Sequence, residues 1–270
     1  MLGVILQNRY RFTGEIILKT ALHIGGGDSE YSVTKSPVVK LTDKRPYIPG
    51  SSLKGVFRST VERIAPNITT VNNCTLYDSE SICLTGNQKL KDEYQKLRET
   101  KEVKDKEELL VKFLDEHLCE TCKLFGSPWQ AAKVSFSDAV VSEPWAEVFE
   151  ARDGVGIDRD SQKAVDTAKF DFEAVPAGTG FEFSLQGENL NERELGLLAI
   201  GLLEMAEGMV PLGGLTSRGL GQCYLALRRI EFIDFTKLEA VKDYLINRKM
   251  VEITDHQAFL KERITNLFSV

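Results

Sequence analysis

The sequence predicts an α+β fold, and three observations predict it. Residues 10–21 alternate in the manner of a half-buried strand, and a helix-period run follows at 52–65. Two further strand-like stretches lie at 132–141 and 180–186. A second helix-period run at 192–209 then leads through a cluster of glycines into a long strand-like stretch at 223–232. Strand, helix and strand, repeated later in the chain, is the split βαβ order of a ferredoxin-like domain, the plan shared by RRM domains.

In the first strand Ile16, Leu18 and Thr20 share one face, and Ile17, Lys19 and Ala21 the other. Three consecutive glycines, Gly25 to Gly27, break it and let backbone approach a ligand closely. The loop 25–50 carries Asp28 and Glu30, and its segment Ser36–Lys40 reads as a short strand. A loop of this length inside a compact domain usually carries function. Pro49-Gly50 makes a turn, after which Ser51 or Ser52 is placed to cap the helix 52–65. Leu53, Val56, Phe57, Thr60, Val61 and Ile64 recur at spacings of three and four, so this helix packs an apolar face on the sheet. Lys54 and Arg58 share another face, beside an N-terminus whose N–H groups and dipole favour anions. They read equally as phosphate contacts or as a solvated face.

Residues 67–126 read as an insertion whose middle, Gln88 to Glu116, is one or two charged, exposed helices with a narrow apolar seam. Residues 150–175, low in apolar side chains until Phe170 and Phe172, read as a projecting hairpin. Leu195, Leu198, Ile200, Leu202, Leu203 and Met205 spread almost all round the helix 192–209, which is therefore buried. Helices at about 236–250 and 255–268 close a chain read as a single domain over 1–270.

The net charge of −6 argues against a nucleic-acid binder until its distribution is considered. Residues 1–70 hold ten Lys or Arg against five Asp or Glu, a local +5, whereas 71–120 hold eight against twelve. A basic groove on an acidic chain predicts weak, salt-dependent RNA binding that neighbouring subunits must complete. No apolar run is long enough to span a bilayer, and the N-terminal residues carry no signal-peptide pattern, so a cytoplasmic location is expected.

Five cysteines without an export signal favour metal binding over disulfides. Cys119-x-x-Cys122, with Cys74 and Cys83 upstream, supplies the two thiolate pairs of a tetrahedral structural zinc site. His117 is an alternative to one of them, and reduced or redox-active thiols are the competing reading. Cys223 lies in a strand pattern and reads as a small buried residue. The second glycine cluster, Gly213-Gly214-Leu215-Thr216-Ser217-Arg218-Gly219-Leu220-Gly221, lacks the Gly-Lys-Ser/Thr ending of a nucleotide-binding P-loop. Its glycines, Ser217 and Arg218 read as phosphate-backbone donors, or else as a tight connection with Arg218 paired internally.

Taken in order, Leu22-His23-Ile24-Gly25-Gly26, Ser36-Pro37-Val38-Val39, Ile48-Pro49-Gly50-Ser51-Ser52-Leu53-Lys54-Gly55, Cys119 to Ser127, Leu212-Gly213-Gly214 and Ser217-Arg218-Gly219-Leu220-Gly221 resemble the RAMP superfamily. These are the repeat-associated proteins of CRISPR effector complexes, and the likeness is greatest to backbone subunits of type III complexes. The resemblance implies contact with guide RNA through Gly25, Gly26, Ser52, Lys54, Arg58, Gly213, Gly214, Ser217, Arg218 and Gly219. It also implies complementary target RNA and other RAMP subunits as partners, a cysteine-rich zinc element, and a thumb at 150–175 that interrupts the guide–target duplex. Phe170 and Phe172 are candidate wedges there. In such subunits a loop aspartate after the glycines supports Mg²⁺-dependent cleavage of target RNA, a role that falls here to Asp28. The acid sits one position nearer the glycines than the usual aspartate and Glu30 one further, which leaves Glu30 as the alternative. The displaced acid also keeps open a non-catalytic scaffold. A metal-independent endonuclease that processes precursor guide RNA is the remaining reading. It would need a histidine such as His23, which is more readily a structural residue of the strand end.

Overall fold

Alternation along the first strand decides which side of the sheet becomes the core. The computed structural model describes residues 5–27, 36–74, 83–100 and 105–269, leaving aside the side chains of 164–169. Strand β1 (Asn8–Leu18) buries Tyr10, Phe12, Ile16 and Leu18 and turns Arg9, Arg11 and Glu15 the other way. The remaining strands are β2 (Tyr47–Ile48), β3 (Val134–Phe136), β4 (Ala139–Val140), β5 (Glu150–Ile157), β6 (Ala164–Ala174), β7 (Gly180–Glu188), β8 (Cys223–Asp234) and β9 (Val251–Ile253). The helices are α1 (Gly50–Ile64), α2 (Gln88–Glu99), α3 (Lys106–His117), α4 (Glu120–Phe125), α5 (Glu192–Ala206), α6 (Leu238–Asn247) and α7 (His256–Leu267).

Five strands form one antiparallel sheet in the order β3-β7-β1-β8-β9. With α1 between β1 and β3, and α5 between β7 and β8, the first four follow the ferredoxin-like plan, and β9 adds an edge. Helices α1 and α5 pack on the apolar face, where Leu53, Phe57 and Val61 meet Leu198, Leu202, Phe181 and Phe183 in one core. Asn191 and Glu194 form a reciprocal cap at the start of α5, and Lys133 pairs with the buried Glu194 at 2.7 Å. The buried charge is thus both hydrogen-bonded and compensated.

The opposite face of the sheet is held by cross-strand ion pairs. Arg9 meets Glu188 at 2.6 Å, Arg11 meets Glu231 at 2.7 Å, Arg228 pairs with Glu15, and Arg229 lies 3.7 Å from Glu252. RRM domains stack bases on aromatics of this face. Here charged neighbours occupy much of it, and Tyr224 lies under Lys19 among them.

Several local expectations change. Helix α1 begins two residues early, at Gly50, and neither Ser51 nor Ser52 caps it. The Gly50 N–H instead donates to the carboxylate of Asp138 at 2.7 Å, a partner 88 residues away that local sequence cannot reveal. An anion therefore already stands at this helix N-terminus. The stretch 132–141 divides into β3 and β4, because Asp138 turns to α1 and the chain after it pairs with β2. Ser36–Lys40 is not a strand; Ser36, Val38 and Lys40 make isolated bridges only. Helices α6 and α7 fall within the expected 236–250 and 255–268, and β9 fills the gap between them, where the sequence pattern predicts no strand. Residues 150–175 do form a two-stranded antiparallel ribbon, β5 with β6. Among the described residues no helix is long and apolar enough to cross a membrane.

Candidate functional site

The two glycine segments, almost 190 residues apart in the chain, meet at His23. The Gly214 N–H donates to the His23 carbonyl at 2.8 Å, and the Gly221 N–H to the Ala21 carbonyl at 2.9 Å. Gly213 has φ +76°, and a Cβ there would stand 2.3 Å from the His23 oxygen, so only glycine permits this approach. From the other side, Leu22 and Val175 exchange backbone hydrogen bonds of 2.9 and 2.8 Å, bringing in the base of the β5–β6 ribbon. Gly26 donates to the Pro37 carbonyl at 3.0 Å and Val39 to the Ile24 carbonyl at 2.9 Å, which folds the Ser36-Pro37-Val38-Val39 motif onto the first glycines.

The result is an exposed shelf made of Gly25, Gly26, Gly213, Gly214, Ser217, Arg218 and Gly219 around a buried imidazole. Nδ1 of His23 lies 2.6 Å from the Glu173 carbonyl, which can only accept, so Nδ1 carries the proton. Nε2 lies 3.4 Å from the Ser36 hydroxyl. With its ring set edge-on to Phe172, His23 is a structural residue of the shelf. The Glu173 carboxylate is also committed, to Lys40 at 2.8 Å and to the Val38 N–H at 3.1 Å.

Aromatic residues of the ribbon divide in role. Phe172 is 7% exposed and packs with Ala21, Ala174 and Leu220, so it is core and not a wedge. Phe170 remains 37% exposed, under the guanidinium of Arg218. Ser52 and Lys54 lie on α1, half-buried; no hydrogen bond or ion pair joins either to the shelf among the described residues. Asp28 and Glu30, the candidate acids, lie outside the described residues.

Arg58 departs most from expectation. Its Nε donates to Glu62 at 2.8 Å, one terminal nitrogen to the Gly126 carbonyl at 2.9 Å, and the other to Cys122 Sγ at 3.6 Å. Burial works against its charge, but hydrogen bonding to Glu62 and the nearby thiol outweigh it and raise the pKa above the ordinary value. The side chain is turned into the protein, toward the insertion.

There the four sulfurs of Cys74, Cys83, Cys119 and Cys122 lie within 4.8 Å of one another, all buried. Cys119 Sγ is 3.4 Å and Cys122 Sγ 3.6 Å from Cys74 Sγ. Tetrahedral zinc with bonds of about 2.3 Å sets sulfurs about 3.8 Å apart, so the donor set and its spacing fit such an ion. Cys119 stands at the N-cap position of the short helix α4 without a side-chain cap bond, and Cys122 sits in its first turn. Donors already point at the sulfurs: the Cys119 N–H reaches Cys83 at 3.3 Å, and the Thr85 hydroxyl is 3.3 Å from Cys122. Hydrogen bonds from Cys119, then Cys74, hold the Cys122 thiol down at about 7, whereas those to Cys119 push Cys74 up. His117 is outside the cluster, against Phe113 with ring centres 4.3 Å apart. Cys223 is buried in β8, and burial lifts its thiol to about 12.

Against known proteins, the family model of the RAMP superfamily matches residues 15–224, well over half of the chain. The chain is also 44% identical over 63 residues to the CRISPR system Cms endoribonuclease Csm3 of Methanothermobacter thermautotrophicus. That stretch is 21% of this chain and spans 24% of the relative.

Proposed function

The chain belongs to the RAMP superfamily, and from that premise we propose that it is a guide-RNA-binding backbone subunit of a type III CRISPR ribonucleoprotein acting in antiviral defence in the cytoplasm. One observation carries the reading: two glycine turns distant in sequence close on His23 and leave an exposed shelf with Arg218 at its edge. Glycines let a sugar–phosphate backbone lie close to the main chain, while Ser217 and Arg218 add donors without reading sequence. Sequence would be read by pairing of the guide with target RNA. Other RAMP subunits complete the groove, in keeping with a chain of net charge −6. In this reading Lys54 and Ser52 extend the contact along α1, and Cys74, Cys83, Cys119 and Cys122 hold a structural zinc ion.

Cleavage of the paired target would fall to Asp28, just beyond Gly27. A Mg²⁺ bound there would stabilise charge on the scissile phosphate. A scaffold without cleavage is the second reading, favoured by the acid of the glycine loop, Asp28, which sits one position nearer the glycines than the usual aspartate. Glu30, two residues on, is the alternative acid. The test is cleavage of a guide-complementary RNA by the reconstituted complex with Mg²⁺, with Asp28→Ala and Glu30→Ala beside the unaltered chain. Loss of a cut on Asp28→Ala, with assembly intact, makes this a nuclease subunit. Survival of every cut in both variants leaves the scaffold, and cleavage that persists in EDTA points to histidine chemistry instead.

A further inference from the structure

We propose that Arg58 is a positioning residue of the thiol site, donating to Cys122 Sγ and tying metal occupancy to helix α1, and that it is not a phosphate contact. The inference rests on the reading of the four cysteines as a metal site. Its own support is geometric. Arg58 is 18% exposed, and its guanidinium is shared among Glu62, the Gly126 carbonyl and Cys122. Three bonds pointing inward leave the guanidinium committed, with little to offer a nucleic acid.

Four thiolates around a divalent cation carry a net charge of about −2, and such centres depend on N–H and O–H donors to their sulfurs. Backbone and hydroxyl donors come from Cys119 and Thr85. Arg58 adds a cationic donor from outside the insertion. It also spans two units: α1 belongs to the main core, whereas Cys122 belongs with Cys74, Cys83, Cys119, Leu84 and Leu118 to a separate one. The Gly126 carbonyl fixes the exit of α4 to the same side chain. The centre and the middle of α1 are thus held by one guanidinium.

The experiment uses the full chain, purified and loaded with Zn²⁺ or Co²⁺, as wild type, Arg58→Met and Arg58→Lys. Chelator competition for Zn²⁺ is expected to show about 10- to 100-fold weaker retention in Arg58→Met, with part restored in Arg58→Lys, which keeps the charge on a single donor nitrogen. In the Co²⁺ form, the sulfur-to-metal charge-transfer band is expected to move to lower energy in Arg58→Met, because Cys122 loses a hydrogen bond. At saturating Zn²⁺, binding of a single-stranded RNA probe is expected to match wild type in affinity and salt slope. Unchanged metal retention and spectrum, with weaker RNA binding and a shallower salt slope, would overturn the proposal and make Arg58 a phosphate contact. Should Arg58→Met fail to fold, Arg58→Gln gives the same readouts, and metal retention equal to wild type there overturns the proposal as well. Wild-type protein that takes up neither Zn²⁺ nor Co²⁺ defeats the underlying metal reading, a result visible before any variant is made.

Discussion

The guanidinium of Arg218 lies 5.6 Å from the centre of the Phe170 ring, and this contact joins the second glycine turn to the β5–β6 ribbon. Arg218 makes no ion pair among the described residues, so its charge stays available at the edge of the shelf while the ring holds its direction. Arg218→Ala is therefore expected to weaken binding of single-stranded RNA in the assembled complex and to reduce the slope of log affinity against log salt by about 0.7, one phosphate contact. Titrations at several salt concentrations check this. An unchanged slope removes Arg218 from the interface.

Gly213 and Gly219 separate clash from backbone strain. Both have positive φ, +76° and +88°, but a Cβ on Gly213 would strike the His23 carbonyl at 2.3 Å, whereas none stands within 4 Å at Gly219. Gly219→Ala is expected to lose about 1 kcal/mol, the strain alone. Gly213→Ala should lose clearly more, because the two turns must part. Thermal unfolding of the two variants measures the difference, and equal losses would mean that the contact at His23 is not tight.

Much of this architecture was legible because it rests on periodicity. The alternation of Ile16 and Leu18, and the apolar spread from Leu195 to Met205, set the sheet and its buried helix directly. The glycine motifs named the shelf residues, and the cysteine spacing named all four members of the thiol cluster. What escaped was long-range and polar. Nothing beside Ser51 announces that Asp138 will cap α1, and nothing near Lys54 announces that Arg58 will turn to Cys122, 64 residues on. Phe170 and Phe172 share one face of β6, their rings 6.2 Å apart, yet Phe172 lies nearer the base of the ribbon, where His23, Ala21 and Leu220 cover it, and Phe170 one step further out stays exposed.

Helices α2 and α3 bury no residue of their own. At 12 residues each they are too short to persist alone in water, and their seam of Leu90, Tyr94, Phe113 and Leu114 rests on the core made by the cysteines, Leu84 and Leu118. Removal of a bound metal by a strong chelator is expected to open residues 83–125 to proteolysis and fast amide exchange while the sheet stays protected. Cys122→Ser should do the same without chelator. Equal protection of the insertion with and without metal would show that packing alone holds it.

Alkaline pH tests the core at Tyr10. Its ring is 8% exposed and lies 4.7 Å from that of Phe232, and burial pushes the hydroxyl from 10.0 up to about 12. The folded chain therefore keeps a proton that the unfolded chain releases earlier. For a raised pKa, the contribution to stability is complete below the unfolded value of 10 and disappears as pH climbs toward 12. The midpoint of denaturant unfolding is accordingly expected to fall between pH 10 and 12 in the native chain, and Tyr10→Phe should flatten part of that fall. A variant whose midpoint drops as steeply as the parent's would place the alkaline sensitivity elsewhere, with Cys223, whose thiol burial raises from 9.0 to about 12, as the next position to replace.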